Sequence, residues 1–470
     1  MIETQNYETE TNMHKIFGIT RKRVAGISAL SLAAGVLITG SFQTSANAAL
    51  STSPVKLVVQ YETGSSGQTI WPAVASAFTK KYPNVTIEFA TVTNAAKAGP
   101  NLQVLIADGA PDIGLVPLNS SVYTNMVAGK QLVDLSPIFE TGKLSSRMGP
   151  PAAAFKQSDG NYYAVPQAVQ YYNILWTNPA AIKASRAVFP SATKKFASID
   201  ALIAVANKCK KAGYEGLAIG GNSTFAVSWM LDAMLPTSVS TSELDNMFKN
   251  FRATAPLTAN YTDPGFVRAL TALQTLGKAD IYQKGFLGQT PAQAQALFAA
   301  GKSCMYLGIS GDVGTFIKTA TAAGTMNFTP NFATLPGVVA GTPSTLTPYY
   351  GTAYGVPQKS KNEEWAIELL KYFSSDEGQT VGTIKAGGAV PISTTIKKAN
   401  LELLPPLVKS VMDFVKKNPV KSGWTSEVPG SVSQAVINPL IQQMLGGSLT
   451  PAEVAQKQQD RILEVRKNGL

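Results

Sequence analysis

Histidine and cysteine are nearly missing from this 470-residue chain, which has one His and two Cys. The histidine, His14, lies ahead of an apolar run and a small-residue cleavage pattern, so the processed chain is expected to carry none. Without imidazole there is no His-assisted serine or cysteine nucleophile and no His metal ligand. Cys209 and Cys304 are too few to build a zinc site alone. In an exported chain they either pair or stay as two buried thiols. Chemistry by paired carboxylates is left open. Beyond the N-terminal run, no segment is long and apolar enough to cross a membrane, and no repeat or low-complexity tract occurs. Lys and Arg exceed Asp and Glu by 40 to 29. They fall in scattered pairs such as Lys80-Lys81 and Lys416-Lys417, not in a dense patch, so no nucleic-acid partner is expected.

The N-terminus reads as a secretory signal peptide. Lys15, Arg21, Lys22 and Arg23 precede an apolar run over residues 24–40, and Ala46-Asn47-Ala48-Ala49 follows. Cleavage is expected after Ala48, giving a signal segment of residues 1–48. The acidic stretch before Met13 is atypical and makes Met13 an alternative start. No cysteine lies near the site to take a lipid, which implies a freely diffusing exported protein of the periplasm or the extracytoplasmic face of the membrane.

Past the signal, strand and helix patterns alternate. Residues 55–60 form an apolar strand. Ile70, Trp71, Val74 and Phe78 recur at helical spacing up to Pro83, and Val85, Ile87 and Phe89 alternate as a half-buried strand. Leu102, Leu105 and Ile106 mark a second helix, and residues 113–116 a third strand. This β-α-β-α-β order predicts a mainly parallel sheet under helices, with ligands beyond the strands' carboxyl ends. Thr450-Pro451-Ala452-Glu453 reads as a capped helix start.

Residues 159–178 are the most informative stretch: Asp-Gly-Asn, a short apolar strand ended by Pro166, then a second strand. Gln167, Gln170, Tyr171, Tyr172 and Asn173 lie around the join. Amides and phenols of this kind hydrogen-bond and stack on a neutral polar ligand. The stretch reads as a crossing between two lobes.

Seven elements in order resemble the extracellular solute-binding proteins of family 1, the sugar- and glycerol-phosphate-binding type that serve ABC importers. They are Ala107-Asp108-Gly109-Ala110-Pro111-Asp112-Ile113, Gly160-Asn161-Tyr162-Tyr163-Ala164-Val165-Pro166, Leu175-Trp176-Thr177-Asn178, Phe298 through Met305, Lys361-Asn362-Glu363-Glu364-Trp365-Ala366, Gly388-Ala389-Val390-Pro391 and Leu449 through Ala455. Trp176 and Thr177 depart from the family's usual residues. The resemblance implies an α/β, two-lobe periplasmic-binding-protein fold of class II type. Each lobe is a mainly parallel sheet flanked by helices, with a hinge between. One lobe is expected over 49–175 and 347–386, the other over 176–346 and 387–470.

Carried over by position, the resemblance implies ligand-binding roles for Tyr61 and Glu62 after the first strand, and for Asn119 and Ser120 after the third. It implies the same for Gln170 and Tyr171 at the crossing and for Asn222, Trp229, Ser310 and Gly311 in the second lobe. Tyr350 and Gly351 on the return and Trp424 in the C-terminal segment complete the set. These groups are neutral and aromatic-rich, which suits a mono- or oligosaccharide. The glycerol-phosphate branch places an arginine where this chain reads Ser422-Gly423-Trp424-Thr425-Ser426, so a glycerophosphodiester is the second choice. A monomeric, non-enzymatic binding subunit without cofactor or metal, delivering ligand to a permease, is expected. A secreted carbohydrate-active enzyme is the rival, and it needs a second carboxylate facing Glu62.

Overall fold

In the computed structural model, residues 50–468 are described except 64, 93–98, 119–120, 223, 351 and 419. The expected signal segment lies outside them, as do Asn119, Ser120 and Gly351. Ten strands occur among the described residues: β1 Val55–Glu62, β2 Val85–Val92, β3 Gly114–Pro117, β4 Val165–Pro166, β5 Gln170–Thr177, β6 Glu215–Ala218, β7 Ser303–Ile309, β8 Asn331–Thr334, β9 Thr347–Tyr349 and β10 Thr352–Gly355. Among the same residues no helix is long and apolar enough to cross a membrane.

β1 and β2 pair in parallel, and a parallel bridge from Val59 to Ile113 brings the start of β3 beside β1. The helix Gly67–Lys81 covers this sheet with Ile70, Trp71, Val74 and Phe78, the residues that helical spacing singles out. Trp71 stacks on Phe373 with ring centroids 4.5 Å apart and meets Tyr354 edge-on at 4.8 Å. Asp112 ties the layers together. Its carboxylate accepts from Val58 N at 2.8 Å, Ser360 Oγ at 2.7 Å and Asn362 Nδ2 at 3.1 Å. The Pro-Asp and Lys-Asn-Glu signatures therefore serve one architectural joint. Losing the bond to the partly buried Val58 N–H would cost about 0.5–1.5 kcal/mol.

The second sheet has the order β6-β7-β5-β8, with β9 pairing the same edge of β5 ahead of β8. β6 and β7 run parallel, whereas β5 is antiparallel to all its neighbours. In the first half, β10 lies antiparallel between β3 and β4. The sheets are thus more mixed than the β-α-β pattern implies, because segments that return across the molecule add antiparallel strands. Side chains alternate by strand period. Ile174, Trp176, Tyr306 and Phe332 enter one core, while Leu175, Met305, Leu307 and Ala333 enter another, covered by helices including Ile199–Lys211 and Pro264–Lys278.

Sheet membership also places the crossing. β5 belongs whole to the second sheet, and so does β9. The chain therefore passes from the first sheet to the second over residues 167–169, and it returns to the first after β9. At the C-terminus, Thr450 N donates to Glu453 Oε2 at 2.7 Å and Glu453 N to Thr450 Oγ1 at 3.3 Å, the reciprocal cap its sequence announces.

Cys209 and Cys304 form a disulfide between the helix Ile199–Lys211 and β7, 95 residues apart in sequence. Closing a loop of that length stabilises a fold by about 2–4 kcal/mol. Reduction, or Cys209→Ser with Cys304→Ser, is expected to lower the melting temperature by several degrees. Alkylation of the denatured, unreduced protein should leave both cysteines unlabelled; labelling of both would show two thiols instead.

Candidate ligand cleft

The crossing is built around a bulge in β5. Tyr172 lies opposite Ile309 and Ile174 opposite Gly308, so Asn173 is the extra residue. It takes φ of 69°, a left-handed conformation that asparagine tolerates better than most residues. Its Nδ2 donates to Thr347 Oγ1 at 3.1 Å, which locks the bulge to β9. A bulge bends a strand and re-aims the side chains ahead of it, here Gln170 and Tyr171.

Both residues meet the turn that follows β7. Tyr171 N donates to the buried Ser310 Oγ at 3.0 Å. At Gly311 a Cβ would fall 2.4 Å from Gln170 Oε1, so only glycine lets the amide lie there. Gln170 Oε1 is buried and has no hydrogen-bond partner among the described residues. Asp312 fixes the turn from beneath. It accepts from Ile309 N at 2.7 Å, Trp176 Nε1 at 3.0 Å and Gln295 Nε2 at 3.4 Å. Burial pushes its carboxyl up to about 7. Trp176, which departs from the family pattern, thus acts as a buried brace for this turn.

Half-buried aromatics gather nearby. Tyr172 is buried, with Trp229 at 5.5 Å and Tyr349 at 6.0 Å between ring centroids. Tyr350 meets Phe155 edge-on at 5.6 Å, and Tyr61 meets Phe89 edge-on at 5.6 Å. Tyr61, Tyr171, Trp229, Tyr349 and Tyr350 are each partly exposed. Burial, with a smaller contribution from the Glu62 charge, pushes the Tyr349 phenol up to about 12. Burial also raises Tyr171 and Tyr350. These phenols are therefore neutral hydrogen-bonding groups at neutral pH. The reach of the Glu62 charge to Tyr349 brings the end of β1 towards the end of β9.

The structure gathers Gln170, Tyr171, Ser310, Gly311 and Tyr350 in one region, with Glu62 on its border. Trp229 joins it through Tyr172. Asn222 is exposed on the loop after β6, where its backbone N–H donates to Gln289 O at 3.0 Å. Trp424 is a correction. It is fully buried, its Nε1 donates to Tyr261 Oη at 2.9 Å, and Phe266 packs 5.9 Å away. A loop tryptophan reads as a binding plate, but this one fills the second core. Gln167 is likewise buried and satisfied internally, by Ser66 Oγ at 2.7 Å and Tyr354 Oη at 2.6 Å.

Sequence reasoning missed Asp232 and Asp312. Both are buried carboxylates in apolar helical or turn settings, and nothing in their flanking residues marks them. A separate apolar cavity of about 220 Å³ lies on the face of β1 opposite Tyr61, lined by Val58, Gln60, Ala90, Leu105 and Pro111.

Known proteins share this fold. A family model described as bacterial extracellular solute-binding protein matches residues 62–380. A Pyrococcus horikoshii protein described as an uncharacterized ABC transporter extracellular-binding protein is 27% identical over 219 residues, covering 45% of this chain. The match spans 48% of that relative, about half its length. A solved chitin oligosaccharide binding protein superposes with a TM-score of 0.73 at 16% identity, over 88% of this chain and 100% of its own. A structure from a study of xylan utilization by Caldanaerobius polysaccharolyticus gives 0.71 at 20% identity, over 86% and 99%. A maltose-bound protein of T. maritima gives 0.69 at 16% identity, over 87% and 100%. At these identities the structural likeness establishes the fold: two α/β lobes of the periplasmic-binding-protein type.

Asp312 makes the region sensitive to pH. Its folded value, about 7, lies above the ordinary 3.8, so the native state binds more protons between the two. Stability from this group is greatest at low pH, falls as pH rises from about 4 to about 7, and is level above. Asp312→Asn is expected to flatten that fall in urea unfolding at pH 5 and pH 8. An unchanged slope would mean the carboxyl ionises normally.

Proposed function

Because the chain belongs to the bacterial extracellular solute-binding proteins, we propose that it is the binding subunit of an ABC importer and that its ligand is a neutral carbohydrate. The observation that carries this reading is the buried, unpartnered Gln170 Oε1 among partly exposed Tyr171, Tyr349, Tyr350 and Trp229. A sugar hydroxyl donates to the amide oxygen while ring faces cover the sugar's apolar C–H surface. The names of the chitin oligosaccharide and maltose-bound neighbours point the same way.

A phosphodiester fits less well. The segment around Gly423 carries no arginine and packs inward on the buried Asp232, whose carboxylate repels phosphate. The family and fold favour binding over catalysis. The carboxylate bordering the aromatic group is Glu62, while Asp232 and Asp312 are tied up in buried hydrogen bonds. Closure hinges at three neighbouring stretches. Gln167 N donates to Thr352 O at 2.9 Å and Val169 N to Val390 O at 2.9 Å, so residues 167–169 lie beside Thr352 on one side and Val390 on the other. Sugar binding favours the closed form by contacts absent from the open one. The leader pattern and the disulfide suit an exported, freely diffusing monomer that hands its ligand to membrane permease subunits.

A panel of maltose, raffinose, chitobiose and xylobiose is expected to contain at least one sugar that raises the melting temperature. Stabilisation by glycerophosphodiesters and by no sugar would overturn the carbohydrate reading. Gln170→Ala should weaken binding of the responding sugar by about tenfold with little change in the unliganded melting temperature, by titration calorimetry. Unaltered affinity would remove Gln170 from the site.

A further inference from the structure

Behind the aromatic wall lies a buried polar relay that ligand contact alone does not require. Tyr172 Oη donates to Asp232 Oδ2 at 2.9 Å, and both residues are almost fully buried. Asp232 also accepts from Thr425 N at 2.9 Å and from Thr425 Oγ1. The approach is tight: a Cβ on Gly423 would fall 2.3 Å from Tyr172 Oη and 2.6 Å from Asp232 Cγ. On its other side, the Tyr172 ring meets Trp229 at 5.5 Å and Tyr349 at 6.0 Å. Tyr172 is therefore wedged between two partly exposed rings and one buried carboxylate.

We propose that Tyr172 and Asp232 are positioning residues: their hydrogen bond fixes the Tyr172 ring and thereby sets the orientation of Trp229 and Tyr349 against the ligand. The segment Gly423–Thr425 then acts from behind the wall, through Asp232, and not as a ligand plate. A hydrogen bond to a buried carboxylate is directional and strong enough to select one ring position. A ring that is already ordered loses less freedom when ligand binds, so the relay contributes affinity through pre-organisation. The inference rests on the proposed carbohydrate site at the crossing.

Tyr172→Phe tests it, because it removes one hydroxyl and keeps the ring. The probe is whichever of maltose, raffinose, chitobiose or xylobiose binds the wild-type protein most tightly. The variant is expected to bind it about tenfold more weakly. It should also lose most of the ligand-induced tryptophan fluorescence change that Trp229→Phe abolishes. Thr425→Val serves as the control, since it removes a partner of the same carboxylate and leaves the Tyr172 bond in place. It is expected to lower the melting temperature while keeping affinity within about twofold. Lowered stability in Tyr172→Phe, with wild-type affinity and fluorescence response, would reduce the relay to a core hydrogen bond and overturn the proposal. If the wild-type protein binds none of these sugars, the site reading falls and the relay's role falls with it.

Discussion

The backbone pairing that carries the chain from one sheet to the other is the constraint on which the rest of this structure depends. β4 pairs with β10 in the first sheet, and a few residues on β5 pairs with β9 in the second. Both strands of this antiparallel pair change sheet together. Val390 adds a third stretch through its bond with Val169. The two cores are rigid in the manner of close-packed interiors. In the proposed closure, relative motion falls on these short connections. With the proposed ligand groups at the near ends of β5, β9 and the turn after β7, such motion would move them against the groups after β1.

The same geometry explains why the carboxylates are where they are. Asp112 holds the first sheet to the loop before the helix Glu363–Ser374. Asp312 holds the turn that receives Tyr171. Asp232 backs the ring that supports Trp229 and Tyr349. Each lies one layer behind a surface that must keep its shape. Each is satisfied by three donors, as burying a carboxylate requires. The proposed ligand surface is mainly aromatic and amide, and buried carboxylates lie beneath it.

Much of this was legible in the chain, but unevenly. Helical spacing located Ile70, Trp71, Val74 and Phe78, and the capping pattern located the start of the last helix, because both are local signals. The ordered motifs gave the two-lobe fold. The stretch around Gln170 stood out because a cluster of amides and phenols is unusual between two strands. Trp424 was misread because a tryptophan between glycine and threonine looks like a loop plate until Tyr261 and Phe266, far away in sequence, close over it. Asp232 and Asp312 gave no signal at all, since their partners lie on other elements. The bulge at Asn173 was invisible for the same reason: register is a property of two strands.

Amide hydrogen exchange, with and without a saturating sugar that binds, tests the central claim most directly. Binding at the crossing predicts slowed exchange at Tyr171–Asn173, Tyr349–Tyr350 and Ser310–Gly311, with the helix Pro451–Asn468 unchanged. Protection confined to the apolar cavity beneath β1 and Leu105, with the crossing unaffected, would contradict it.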